Sequence, residues 1–248
     1  MKTYFDIRFE FDHDTIHDSI ERQLALGTPD YICVADDEVL MQSRKDSKYR
    51  SAVNNGMFTI CDSSYVTKSI KLVHHEEYEQ YYGSHFFLDI LSERKHRMML
   101  LGGSEMELRG LKREMMRYNP DVKSMNFVEL PFGEVDDFDY RAIARMINTD
   151  GADIIWIALD SPDQEIFMAK LKPFLKRGVM IGIGAAIKYF NAATARYGQV
   201  AATSPTRQIA HHFSMMKSLP GMLVKEWFKT SVRGKSAEAK ERYAFESI

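Results

Sequence analysis

Two short stretches bring together residue types that could hold a ligand. The first, Ser161-Pro162-Asp163-Gln164-Glu165, follows the apolar run DIIWIALD and places a hydroxyl, two carboxylates and an amide within five positions. At the end of a strand such groups can fix the polar parts of a small molecule. The same residues satisfy the rules for starting a helix, with Ser161 as N-cap, Pro162 as the first helical residue and Gln164 at the third helical position. The second stretch, LLGGSE (100–105), lets backbone approach a ligand closely and then opens a helix whose free N–H groups favour phosphate. It has neither GxGxxG nor GK[ST], so a tight turn is the competing reading. Cys33 and Cys61 lie in separate apolar segments with no CxxC and no Cys/His spacing suited to zinc, and read as buried reduced thiols. Tyr49–Arg50, His74–His75 and His211–His212 offer no base or ligand geometry and read as packing or solvent-facing residues.

The elements that must position these groups follow from periodicity. Residues 2–11 alternate polar and apolar (Phe5, Ile7, Phe9 and Phe11 on one side), the pattern of an edge strand. "HDTIHDSIERQLALG" carries Ile16, Ile20 and Leu24 at helical spacing and stops at Gly27, and "PDYICVAD" then reads as a buried strand. A helix over "DEVLMQSRKDSKYRSAVNNG", a strand in "MFTICD" and a strand in "KHRMMLLGG" come next. Ser104 and Glu107 form a capping-box pattern, "DVKSMNFVEL" reads as a strand, and "DDFDYRAIARMINTDG" as a helix. "ADIIWIALD" and "GVMIGIGAA" are continuous apolar runs, as expected of strands buried on both faces. Residues 65–95, polar and aromatic-rich, read as a loop over a site. The predicted fold is α/β: a Rossmann-like, mostly parallel sheet flanked by helices over residues 1–204, with a C-terminal helical appendage over 205–248. In such sheets ligands bind beyond the carboxyl ends of the strands, which nominates Val34–Asp37, Asp62–Ser64, Gly102–Ser104, Asp160–Glu165 and Gly184–Lys188 as segments that converge.

Of the 248 residues, 45% are hydrophobic and 27% charged, the balance of a soluble globular protein. No apolar run is long enough to span a membrane, and the charged start MKTYFDIRFEFD is unlike a signal peptide, so a cytoplasmic location is expected. Residues 205–248 hold eight Lys/Arg and four Asp/Glu, which leaves residues 1–204 with a net charge of −6. The acidic body argues against nucleic-acid binding, and the basic tail is the one candidate for an anionic surface.

The order and content of these segments resemble the WecG/TagA/CpsF family of glycosyltransferases, from about Lys2 to Pro205. The counterparts of its motifs are VADDEVL (34–40), CDSS (61–64), LLGG (100–103), YNPDV (118–122), LDSPDQE (159–165), IGAAIKYF (183–190) and SP (204–205). The resemblance implies inverting transfer of an N-acetylmannosamine-type sugar from a UDP-sugar to a lipid-linked saccharide, with no tightly bound cofactor or metal. It makes Asp62 the general base, although a strand-ending Asp is by itself as readily a turn or cap residue. It places the donor among Asp36, Gly102, Gly103, Ser104, Asp160, Gln164, Glu165, Gly184, Lys188 and Tyr189. Homo-oligomerisation and peripheral attachment at the inner face of the plasma membrane through 205–248 are further expectations. The departures are Asp36 for the family's Asn, Ser63 for Gly, Asp163 for Lys and Lys188 for Asp. Asp36 and Asp163 would repel a diphosphate and Lys188 would attract it, so a non-catalytic nucleotide-sugar-binding or transferase-partner relative is the alternative. A Rossmann dehydrogenase is disfavoured by the missing glycine fingerprint.

Overall fold

The computed structural model describes residues 1–131 and 133–184, together with Gly221, Leu223 and Glu226. The chain forms two compact units, one of residues 1–63 and 80–201, the other of residues 64–79 and 202–248. The expected appendage over 205–248 lies outside the described residues apart from the three just named, as do Lys188 and Tyr189.

The first unit is built on eight strands: β1 (Lys2–Tyr4), β2 (Ile7–Glu10), β3 (Asp30–Ala35), β4 (Thr59–Cys61), β5 (Met98–Gly102), β6 (Asn126–Val128), β7 (Ile154–Ala158) and β8 (Val179–Gly182). They form one sheet in the order β1-β2-β4-β3-β8-β7-β5-β6, parallel except for the β1–β2 pair. The α/β, Rossmann-like expectation holds. Its helices are α1 (His13–Leu26), α2 (Asp37–Lys45), α3 (Ser47–Asn54), α5 (Gly83–Glu93), α6 (Glu105–Tyr118), α7 (Tyr140–Asp150) and α8 (Asp163–Leu171).

Period-2 alternation assigns the strand side chains to two faces. Ile32, Ile60, Leu100, Trp156 and Ile181 share a core with Ile16 and Ile20 of α1, Phe86, Phe87, Ile90 and Leu91 of α5, and Leu108, Leu111 and Met115 of α6. The Phe87 and Trp156 rings meet edge-on at 4.7 Å, and truncating a buried aromatic of this kind costs about 3–5 kcal/mol. On the opposite face α8 packs on α3 and α7. Right-handed crossovers produce this division, because β7–α8–β8 and β5–α6–β6 run in opposite directions across the sheet.

Four expectations need correction. Residues 2–11 are not one strand but a hairpin, turned by Phe5 (φ 53°) and Asp6 (φ 64°), so that Tyr4 and Phe5 are both buried. The helix expected through residue 54 breaks at Asp46, whose carboxylate accepts from the N–H groups of Lys48 (2.7 Å) and Tyr49 (3.3 Å) and starts α3. "DVKSMNFVEL" splits into a 3₁₀ turn at Pro120–Ser124, opened by Asn119, and the short strand β6. Residues 65–95 are not a loop but hold two helices, α5 and, in the second unit, α4 (Ser64–His74). In that second unit His74 Nε2 lies 3.5 Å from Glu226 Oε1, with both side chains largely buried. Cys33 and Cys61 are buried free thiols, as expected, and burial pushes both up, Cys61 to about 12.

Candidate active site

The carboxyl ends of β4, β3, β8, β7 and β5 stand side by side, so the described residues of the nominated segments form a row along one edge of the sheet, residues 185–188 lying outside the described residues. They do not meet at a point. Gly102 is four strand spacings from Asp62, about 19 Å at ~4.8 Å each.

One end of the row is built around Asp62. Its N–H donates to the Ala35 carbonyl (2.9 Å), which ties the turn out of β4 to the end of β3. Its partly buried carboxylate accepts the N–H of Gly83, the first residue of α5, and Gln80 Nε2 approaches Oδ1 at 3.5 Å. A Cβ on Gly83 would lie 2.8 Å from Val34 Cγ1 and 3.1 Å from Asp62 Oδ2, so glycine is what lets the helix come this close. Burial pushes the Asp62 carboxyl up to about 6; the Gly83 N–H opposes this, and the charge of Asp36 reinforces it. Asp36 itself caps α2, accepting from Glu38 N (2.9 Å) and Val39 N (3.1 Å). Ser63 is buried and donates to Asp37.

The middle of the row is a closed network. Glu165 is 0% exposed and Gln164 3%. Tyr49 Oη donates to Glu165 Oε2 (2.7 Å), while Ser161 Oγ (3.2 Å) and Gln164 Nε2 (3.0 Å) donate to Oε1. Gln164 Oε1 then accepts the N–H of Gly184 at 2.7 Å. Gly184 is pinned between Gln164 and the Leu159 carbonyl, which any Cβ would strike. Burial pushes Glu165 above the ordinary carboxylate range, and its three donors pull the other way.

This overturns the capping reading of SPDQE. The helix α8 begins at Asp163 with Pro162, after a cis peptide bond, at the N-cap and no side-chain cap, while Ser161 and Gln164 turn to the buried carboxylate instead. A buried carboxyl group left without hydrogen-bond partners costs more than exposed helix N–H groups that water can reach. Asp163 and Asp160 are exposed, Asp163 in the first turn of α8, where a negative charge suits the helix dipole. Tyr49 was not foreseen. Its signal was slight: a tyrosine one turn before Val53 on the buried face of α3.

At the far end, Gly102 (φ 105°) and Gly103 (φ 75°) turn the chain out of β5, and a Cβ on Gly102 would strike the Ala158 carbonyl of β7. Ser104 caps α6 in a complete capping box with Glu107, whose Oε2 accepts the Ser104 N–H at 2.8 Å.

An open parallel α/β sheet with a half-buried carboxylate and glycine-lined turns along its carboxyl edge defines a class: Rossmann-like proteins that take their ligand at that edge. Within that class, residues 3–201 match the model of the glycosyl transferase WecG/TagA/CpsF family, and the chain belongs to this family. It is similar to the N-acetylglucosaminyldiphosphoundecaprenol N-acetyl-beta-D-mannosaminyltransferase of Bacillus subtilis (strain 168), at 22% identity over 168 residues. The protein of the same description from Bacillus spizizenii is 22% identical over 169 residues. The matched stretches cover 66% and 67% of this chain and 64% of the length of each relative.

Proposed function

We propose that this protein transfers an N-acetylmannosamine-type sugar from a UDP-sugar to a lipid-linked saccharide, in the assembly of a cell-surface polysaccharide. Asp62 is the general base. It takes the proton of the acceptor hydroxyl as that oxygen attacks the anomeric carbon; the bond to the diphosphate oxygen breaks with its electron pair leaving on UDP, and the anomeric configuration inverts. The observation that carries this reading is the Asp62 carboxyl, held at a strand end and raised to about 6, where it is ionised at neutral pH yet basic enough to accept a proton. The relatives' names support the substrate class. In this scheme Gln164 and Glu165 shape the donor site from beneath, through Gly184, and the reacting atoms need no bound cofactor. The basic segment 205–248 is assigned to an anionic membrane surface, where the acceptor sits.

A second reading has one observation in its favour: Asp62 already serves the fold by accepting the N–H of Gly83 at the start of α5. A non-catalytic relative would keep it for that reason.

The test pairs heat protection with turnover on the full chain. UDP and UDP-N-acetylhexosamines are expected to raise the melting temperature, since a ligand at a hundred times its Kd adds about 2.7 kcal/mol of apparent stability. Transfer to a lipid-linked N-acetylglucosamine is expected alongside. Protection without transfer to any acceptor selects the non-catalytic reading, and protection by NAD but by no UDP compound overturns both. Co-sedimentation of the full chain with anionic vesicles, weakening as salt rises, checks the tail; indifference to such vesicles at low salt removes it.

A further inference from the structure

We propose that Glu21, Glu93 and His96 form a structural site for a divalent first-row transition-metal ion, at the end of α5 opposite to Asp62. α1 carries His13, His17 and Glu21 four residues apart, hence on one face, and α5 carries Asp89 and Glu93 in the same way. Tyr81 joins the two rows. Its ring stacks on His13 at 3.8 Å, its hydroxyl donates to Asp89 Oδ2 at 2.6 Å, and His17 Nε2 lies 3.1 Å from the Tyr81 hydroxyl oxygen.

Beyond this polar seam the chemistry changes. One ligand atom each from Glu21, Glu93 and His96 lies within 4.8 Å of the other two. The His96 side chain is only 7% exposed, and its Nε2 is buried with no hydrogen bond, although Glu21 Oε1 is 3.2 Å away. A buried imidazole nitrogen so close to a carboxylate and yet misaligned for a hydrogen bond is what two ligands of one cation display. With bonds of about 2.0–2.1 Å, tetrahedral neighbours stand about 3.3 Å apart, their lone pairs aimed at the ion and not at each other.

The surroundings fit. His17 Nδ1 is 2.9 Å from Glu93 Oε1 and orients that carboxylate, as outer partners of metal ligands do. An imidazole with two carboxylates selects zinc and its first-row neighbours over calcium or magnesium. Glu21, at 48% side-chain exposure, leaves a side open for water. Lys95 Nζ, 3.3 Å from Glu93 Oε2 but 62% exposed, can swing into solvent when an ion arrives. α5 has 11 residues and is about 16 Å long, so the ion is too far from Asp62 to touch the reaction. Its effect is to staple α1, α5 and the chain entering β5, and so to fix the helix whose first N–H holds Asp62.

The experiment strips the full chain with EDTA and titrates Zn²⁺ against a chromogenic chelator, with melting followed in parallel. The expected result is about one equivalent bound per chain and a higher melting temperature with zinc, since metal binding to a folded site is folding free energy. Both are lost in Glu93→Gln and in Glu21→Gln; the latter changes an exposed residue and keeps the fold intact. His211→Asn with His212→Asn controls for the tail and is expected to bind as the wild type does. No bound zinc in the wild type, binding unchanged in both glutamine variants, or binding lost only with the tail histidines would each overturn the site.

Discussion

Asp62 and Glu165 are carboxylates on the same edge of the same sheet, and burial pushes both above the ordinary range. Their surroundings differ. Glu165 is sealed and receives three side-chain donors, and its neighbour Gln164 passes the network on to the backbone of Gly184. Asp62 is half open, receives one backbone N–H and a marginal amide, and faces the negative charge of Asp36. Burial alone therefore does not mark a reacting group; a catalytic carboxylate must also be incompletely satisfied and reachable. On the proposed function, SPDQE would be architecture under the donor site, and the chemistry would belong to the strand end two places along the sheet from β8.

The widest separation between the two should come from turnover. Asp62→Asn keeps the side-chain shape but cannot accept a proton, so transfer is expected to fall by about 10²–10⁴-fold, with heat protection by UDP retained. Equal rates in a direct assay of product would move Asp62 to the architectural side.

Gln164→Ala should act the other way, on stability before turnover. It leaves the buried Gly184 N–H without its acceptor, at a cost of about 1–3 kcal/mol, or several degrees of melting temperature at about 2–4 °C per kcal/mol for a chain of this size. Melting at the wild-type temperature with UDP protection lost would make Gln164 a ligand contact and erase the contrast drawn above.

The pH dependence sharpens the comparison further. Asp62 has a folded-state value of about 6 against an ordinary 3.8, so between these values the folded chain holds a proton that the unfolded chain has released. Its contribution thus favours folding at low pH and is lost as pH rises through about 6. Asp62→Asn removes the penalty and is expected to melt higher than the wild type at pH 8, with the gap closing near pH 4. Coincident melting curves at both pH values would show that the carboxyl is not held up by burial.

Much of this was legible in the sequence, for reasons that also explain what was not. The runs in β7 and β8 are apolar throughout because both faces of those strands are covered, and with the alternation of strands and helices that predicts a parallel sheet, while the separate segments PDYICVAD, MFTICD and KHRMMLLGG place Asp36, Asp62 and Gly102 at strand ends. The segment 65–95 misled because the polar run at 74–80 hides the helical spacing of Phe86, Phe87, Ile90 and Leu91, which becomes plain only once α5 is seen against Trp156. The Tyr49–Glu165 bond joins residues 116 apart, and Glu21, Glu93 and His96 come from three separate segments, so no local spacing could announce either. Ser161 and Gln164 obey the helix-start rules and still do something else, because those rules price an exposed N–H and take no account of a buried carboxylate nearby.

The smallest expected effect tests the far end of the row. Ser104 was nominated as a donor contact because a helix N-terminus after two glycines favours phosphate. Its hydroxyl and its N–H are both engaged with Glu107, and Glu107 brings a carboxylate to the place where a phosphate would dock. Gly102 is about 19 Å along the edge from Asp62, at ~4.8 Å per strand, which sets Ser104 well away from that carboxyl. The capping role predicts that Ser104→Ala costs about 1 kcal/mol of stability and leaves UDP protection and transfer unchanged. Glu107→Gln should then raise UDP affinity only if the diphosphate does reach α6, because it removes one of the two first-turn carboxylates, with Glu105, that oppose it there. A loss of UDP protection in Ser104→Ala, at unchanged melting temperature, would extend the open, ligand-facing half of the molecule from Asp62 along the whole edge.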